Sequence, residues 1–335
     1  MKIGAHFLPE DFPEFIECVQ LAEESGYDRA WVVDSQMLWE DVWVYLTRAL
    51  LATERIQLGV GVANPLTRHY TVNASAAATL AQLHPGRVIL GLGRGDSAVR
   101  TLGLKQVATS RFAEIVPRIR ALLAAEEIET EHAPIRIRWA TGERVPIGIA
   151  ATGPRNLRLA GALADIAMLQ VGANPAAVRW AVEQVRRGAE EAGRDPDEVE
   201  IAIFCGMWVS DDLDESREES RWAAACAANH IGDVMQRVPD HGMPEELTRL
   251  VAARTQAYDY YEGHLDSSAE HTGWLTPELI DDFAITGPPD RCLARIEELA
   301  ACGVDEISTA YLNGKREQLR RVGAAIIPAL AAIPA

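Results

Sequence analysis

Three segments of the chain repeat one pattern of apolar and polar positions. A helical period ends at a small residue, an apolar residue and an aspartate follow, and a run that is apolar on both faces begins. They are AEESGYDRAWVVDS from Ala22, LAGALADIAMLQVG from Leu159 and LAACGVDEISTAY from Leu299. The small residue closes the helix, and a run buried on both faces suits a parallel strand covered by helices, so each segment reads as the αβ half of a βαβ repeat. Filling in between them predicts strands at 2–6, 29–33, 56–62, 88–92, 147–151, 166–169, 200–208 and 306–310. Helical patterns at 13–24, 41–53, 71–83, 110–125, 155–162, 175–192 and 290–301 separate most of them. Eight strands alternating with helices predict an α/β chain folded as a (β/α)8 TIM barrel. The competing fold, a doubly wound open sheet, would want GxGxxG after the first strand, but that strand runs into GAHFLPEDF.

Two excursions break the rhythm. Residues 126–146 carry a short β-like stretch at 135–139, expected as a small hairpin before the fifth strand. Residues from about 211 to 289 separate the last two strands and include the polar, aromatic stretch YDYYEGHLDSSAEHTGW. An insertion there builds a substrate wall or partner contacts, or is a plain solvated excursion. At ~150 residues per domain the length suggests about two domains, yet barrels accommodate such a length in one. The expectation is one barrel domain over 1–335, with 211–289 as a helical and loop insertion at its mouth.

Composition narrows the function. Hydrophobic residues make up 48% of the chain, enough for a large core, and the formal charge of −17 is the wrong sign for a nucleic-acid binder. The start, MKIGAHFLPEDF, meets acidic and proline residues too early for a signal peptide, and no apolar run reaches membrane-spanning length. A cytoplasmic protein without a membrane partner is expected. The five cysteines are scattered without a CxxC pair, which reads as reduced thiols. The eight histidines form no metal-binding motif, and neither GxSxG nor a phosphotransfer loop occurs.

In a barrel, the residues just past the strand C-termini converge on one mouth. Here they are His6, Asp34 with Ser35, Gly61 to Asn64, Gly93 to Asp96, Thr152 to Arg155, Gln170 with Val171, and Cys205 to Trp208. In VVDSQMLWEDVW, Asp34 stands at a strand tip with Trp39 and Trp43 beyond it. The three read as a carboxylate with an aromatic wall for a flat ligand, or as a helix cap with packed tryptophans. GVGVANPLTRH places successive glycines in a strand, where a ligand or another backbone approaches closely, or where the barrel simply curves. GLGRGDSAVRTLG offers a run of amides ending at Asp96, and AATGPRNLRLAG starts a helix with proline beside Arg155 and Arg158, a potential anion site or an ordinary helix start.

Taken together, these segments resemble the bacterial-luciferase-like superfamily of flavin-dependent barrels, and within it the branch that uses the deazaflavin coenzyme F420. WVVDSQMLW, LGVGVANPLTRH, GRVILGLGRGDSAVRTLG, AATGPRNLRLAG with ADIAMLQVG, and ELIDDFAITGPPDRCLARIEELAACGVDEI carry the likeness, which is nearest to methylene-tetrahydromethanopterin reductase-like proteins. The resemblance implies a deazaflavin held at the mouth by His6, Asp34, Gly61, Val62, Asn64, Gly93, Asp96, Thr152, Gly153, Pro154, Arg155, Gln170 and Val171. It also implies a cis peptide at Gly61-Val62, and a phosphate and glutamyl tail running over the GPRN loop. Asp34, Trp39 and Asp96 take the catalytic positions, with no metal. His69-Tyr70 departs from the family's His-Pro. Ser35 stands where sugar-phosphate dehydrogenases of the branch have a base histidine, which favours a reductase passing hydride to a small organic acceptor. The acidic chain must then meet an anionic coenzyme through local arginines, with Arg68, Arg94, Arg155 and Arg158 as candidates, or else bind FMN. The alternatives are an FMN-dependent monooxygenase on the same barrel and a non-catalytic flavin-binding protein. A homodimer is expected from relatives and from the apolar helices at 41–53 and 71–83.

Overall fold

The structure is a computed structural model that describes residues 1–238, 241–252, 267, 268, 270–309 and 312–330. Its first half runs β1 (Lys2–Phe7), α1 (Phe12–Glu24), β2 (Arg29–Val32), α2 (Val42–Ala52), β3 (Gln57–Ala63), α3 (Tyr70–Leu83), β4 (Val88–Leu92), α4 (Ser97–Arg100), α5 (Thr109–Leu123), β5 (Ile147–Ala151) and α6 (Pro154–Leu163). Then follow β6 (Ile166–Leu169), α7 (Pro175–Glu191), β7 (Glu200–Val209), α8 (Leu213–Arg237), α9 (Glu245–Ala252), α10 (Pro277–Phe283), β8 (Ala284–Gly287), α11 (Pro289–Ala300), β9 (Glu306–Thr309), α12 (Arg316–Ala325) and α13 (Ile327–Leu330). Strands β1 to β7 and β9 pair in parallel around a closed ring, the (β/α)8 barrel that the pattern predicts.

Alternation along each strand divides the residues between two surroundings. Outward residues join the helices in one large apolar core, while Trp31, Ile89, Ile166, Met168 and Ala202 fill the barrel interior. Trp31 fits because its neighbour across the β2–β3 pair is Gly59, where a Cβ would lie 2.5 Å from the indole. That glycine therefore serves packing. Below the indole, Arg29 binds Glu200 at 2.5 Å and also pairs with the fully buried Glu306. Lys2 reaches Glu200 at 2.7 Å, and Trp31 Nε1 donates to Glu306 at 2.9 Å.

Three departures from the expected elements have physical reasons. The sequence reading does not foresee β8, which lies outside the ring and pairs with Gly206–Val209 of β7 while β9 pairs with Ala202–Cys205. Four residues between two helices, Ala-Ile-Thr-Gly, are too short a run to betray their period. The expected hairpin in 126–146 is reduced to one antiparallel bridge between Ile128 and Ile135. The chain after β9 forms the amphipathic α12 and the short α13, which the pattern did not assign. Of the stretch from 258 to 274, residues 258–266 and 269 lie outside the described residues, as does the end of the predicted last strand at 310.

Helix α8 matters most for the mouth. Asp212 caps it by accepting from the amides of Asp214 and Glu215, and it packs closely on β7, where a Cβ on Gly206 would lie 3.1 Å from Ala223. Arg217 and Arg291 clamp Asp281 at 2.7 and 2.8 Å, fixing the α10–β8 segment beside it. No helix among the described residues is long and apolar enough to cross a membrane.

Candidate active site

A cavity of about 440 Å3 opens at the C-terminal ends of the strands. Its walls come from the loops after β2 to β6, from Phe204 of β7 and from one face of α8. This is the usual place and size for a small-molecule site in a barrel.

On one side, Asp34 follows β2 and is almost wholly buried. Burial pushes its carboxyl up, opposed by Arg68, which binds Asp34 at 2.5 Å and Asp41 at 2.7 Å. Ser35 Oγ lies 2.5 Å from Ser97 Oγ, joining the loops after β2 and β4. In β3 the Gly61-Val62 peptide is cis, as the resemblance implies, and the β3–β4 register shifts between Val60 and Ala63. Gly61 and Val62 face the cavity. Asn64 accepts from the amides of Leu66 and Thr67 and so shapes the loop that carries Arg68.

Across the cavity, Gly95 adopts φ +94°, which favours glycine, and turns the chain so that Asp96 faces α8. Arg100 Nε donates to Asp96 Oδ1 at 2.6 Å, and His230 Nε2 lies 3.3 Å from Oδ2. Burial alone would raise the Asp96 carboxyl, but His230 and Arg100 outweigh it and hold it at about 2. Asp96 is therefore a carboxylate at neutral pH. Arg100 also binds Asp233 at 3.1 Å, which Arg237 shares at the same distance.

The third wall is the start of α6. Gly153 caps it without a side-chain hydrogen bond, so the amides of Arg155 and Asn156 remain as donors toward the cavity. Arg155 is exposed, with no hydrogen bond or ion pair among the described residues. Arg94 spends its Nε on Val107 O, and Arg237 one amine on Asp233. The lining thus holds Arg94, Arg100, Arg155 and Arg237 against Asp34, Asp96 and Asp233, a local excess of positive charge on a chain of −17. Of the arginines expected from the sequence, Arg94 and Arg155 line the cavity. Arg68 stands behind Asp34, and Arg158 binds Gln184 instead.

Asp34, Gly61, Val62, Asn64, Gly93, Asp96, Thr152, Gly153, Pro154, Arg155 and Gln170 all line this one space. His6, Trp39 and Val171 do not. His6 is buried beneath Gly61, with Nδ1 3.1 Å from Ser308 Oγ and its ring set edge-to-face on Phe204 at 4.5 Å. Burial lowers its pKa to about 3, against a hydrogen bond that the ring donates to the Thr309 backbone carbonyl, so the imidazole is neutral. Trp39 sits half-buried at the end of a tight turn in which the amides of Leu38 and Trp39 both donate to Ser35 O. Trp43 packs on the core, and Val171 is fully buried. The sequence reading missed Arg100, Gln106, Cys226, His230, Asp233 and Arg237. A signal for the last four existed in the helical spacing of polar residues through the alanine-rich part of α8.

Comparison with known proteins agrees with this architecture. The chain is 31% identical to a 5,10-methylenetetrahydromethanopterin reductase of Methanolobus tindarius, over 98% of this chain and 100% of that one. It is 30% identical to an F420-dependent glucose-6-phosphate dehydrogenase of Nakamurella multipartita, over 64% of this chain and 69% of the relative. The solved coenzyme F420-dependent tetrahydromethanopterin reductase of Methanopyrus kandleri superposes with a TM-score of 0.80 at 27% identity, covering 98% of this chain and 99% of that one. The sequence model described as luciferase-like monooxygenase matches residues 3–306, and the chain belongs to that luciferase-like family.

Proposed function

We propose that the chain is a coenzyme F420-dependent oxidoreductase that passes hydride from the reduced deazaflavin to a small organic acceptor. The observation that carries this reading is the division of the cavity: unspent cationic and amide donors at α6 and Arg94, and fixed carboxylates at Asp34 and Asp96. The donor set fits the anionic half of the coenzyme, since free helix amides and arginines are what phosphate and carboxylate groups require. Arg155, Arg94, Arg237 and the α6 amides would hold those groups, and Gly61, Val62 and Gly93 would bound the ring.

When bound, the deazaflavin supplies the hydride chemistry. The chain's own residues orient and charge the site. Asp34, locked to Arg68, is a fixed carboxyl beside the cis peptide. Asp96 is ionised at neutral pH, so it accepts a proton or steadies positive charge on the acceptor rather than donating a proton. Phe204, Val62 and Val234 exclude water from the floor and wall.

The same reading treats 1–335 as one domain with an insertion at 211–289 that supplies the α8 wall. It also takes the protein as cytoplasmic, in keeping with five cysteines that form no disulfide. A homodimer through α2 and α3 is part of it, supported by the exposed Val44, Leu51, Val72 and Leu83, each more than half accessible. Light scattering at micromolar concentration tests that last element, with a mass near twice 36.6 kDa expected.

The test of function is reoxidation of reduced F420 in the presence of a panel of carbonyl and iminium compounds. Enzyme-dependent reoxidation with at least one acceptor is expected, and binding without any turnover across the panel would favour a non-catalytic flavin-binding protein.

A further inference from the structure

Helix α8 brings an imidazole to Asp96, a lining carboxylate whose two oxygens face different partners. His230 Nε2 faces Asp96 Oδ2 at 3.3 Å, while Arg100 Nε holds Oδ1 at 2.6 Å. The other ring nitrogen, Nδ1, is enclosed by protein and has no hydrogen-bond partner among the described residues. An enclosed N–H without an acceptor is costlier and rarer than an enclosed lone pair, so the ring settles with its proton on Nε2, pointing at Asp96. Arg100 is fixed in turn by Asp233 of α8, one turn from His230. The carboxylate is thus held at both oxygens, at one by a side chain of the insertion and at the other by an arginine that the insertion braces.

The geometry points to His230 as a positioning residue that fixes the second oxygen of Asp96, so that the insertion helix sets the orientation and charge with which this carboxylate meets the cavity. The inference rests on the proposed function only in giving Asp96 a reacting partner; its geometry stands without it. The other charges around Asp96 are Arg94 on its own loop, Arg100 on α4, Arg155 on α6, and Asp233 and Arg237 on α8, with Asp34 across the cavity. Of these only Arg100 is bonded to the carboxylate, and Gln106 Nε2 stands at a marginal 3.5 Å from Oδ1. Removing the His230 donor therefore leaves Oδ2 without its hydrogen bond.

The test uses the full chain labelled with 13Cγ-aspartate, with the Asp96 resonance assigned by its loss in Asp96→Asn. His230→Leu removes the donor, and His230→Gln restores an amide donor at the same place. The expected result is an Asp96 midpoint raised by about one pH unit or more in His230→Leu, and returned at least halfway in His230→Gln. Where the wild type stays ionised down to its unfolding pH, the Leu variant is expected to show a titration that the wild type lacks. Asp96 behaviour indistinguishable in all three proteins overturns the inference. Should the Leu variant fail to fold, the wild type still decides. Its long-range 1H–15N spectrum is expected to show the Nε2–H form of His230, and an Nδ1–H form would overturn it. Failure of F420 to bind, with the Asp96 shift present, would sink the proposed function and leave this inference standing.

Discussion

The barrel carries buried ionic groups at both ends, and the two ends spend them differently. At the floor, Arg29, Glu200, Glu306 and Lys2 saturate one another, with Gln57 and Trp31 taking the remaining bonds. No lining residue of the cavity belongs to that cluster. At the mouth, Asp34 and Asp96 are held just as firmly by Arg68, Arg100 and His230, but they stand on a cavity wall opposite arginines with donors to spare. Satisfied charge inside a barrel marks its stability, whereas fixed charge on a cavity beside unspent donors marks a site. The floor cluster sits on strands β1, β2, β7 and β9, whereas the mouth cluster sits on the loops after β2, β3 and β4 and on helices α4 and α8.

Removing the cation at the floor should produce the largest effect. Arg29→Met leaves Glu306 buried without its countercharge and is expected to cost about 3–5 kcal/mol of stability in urea titration, with F420 affinity of the folded fraction unchanged within about twofold. A weakened coenzyme affinity would mean that the two ends are coupled. Next in size, Asp96→Asn is expected to lower turnover about 100-fold while leaving F420 affinity within about threefold, read from steady-state kinetics and a binding titration. Equal losses in both would make Asp96 a binding group.

Between the two ends lies His6, neutral because burial depresses its pKa to about 3. An unfolded chain takes up that proton below about pH 6.5 while the folded one does not, so stability falls with pH by about 1.4 kcal/mol per unit across that window. From pH 7.5 to pH 5 the wild type should therefore lose about 2 kcal/mol that His6→Asn does not lose; parallel pH dependences in the two proteins would contradict a neutral His6. The smallest effect expected is that of Arg155→Ala, about tenfold in F420 affinity from one lost charge-assisted contact, with stability unchanged within about 0.5 kcal/mol because the Arg155 side chain binds nothing among the described residues.

The barrel was legible because its signal is local. Each strand is a short run apolar on both faces, and the β1 to β7 and β9 boundaries fall within a residue or so of those the pattern marks. The loop residues of the site were legible for the same reason: once a strand end is placed, Asp34, Asp96 and Thr152 to Arg155 must stand at the mouth. What escaped depends on distant packing. His230 and Asp233 reach Asp96 and Arg100 across more than 130 residues of sequence, through the way α8 lies on β7, which no local pattern encodes. Trp39 and His6 show the converse. Both stand beside the right strand ends, yet the Ser35 turn and the Ser308 hydrogen bond direct them away from the cavity wall. Gly59 and Gly61 divide the same way, one making room for Trp31 and the other lining the cavity.

The account's central claim is that the mouth is built for a deazaflavin with an anionic tail. The most direct measurement is a parallel titration of the purified chain with F420 and with FMN, following the absorbance and fluorescence of each chromophore. Saturable binding of F420, at least about tenfold tighter than FMN and weakened by rising salt, is the predicted result. Tight binding of FMN with none of F420 would contradict the account and place the chain with the oxygen-using members of its family.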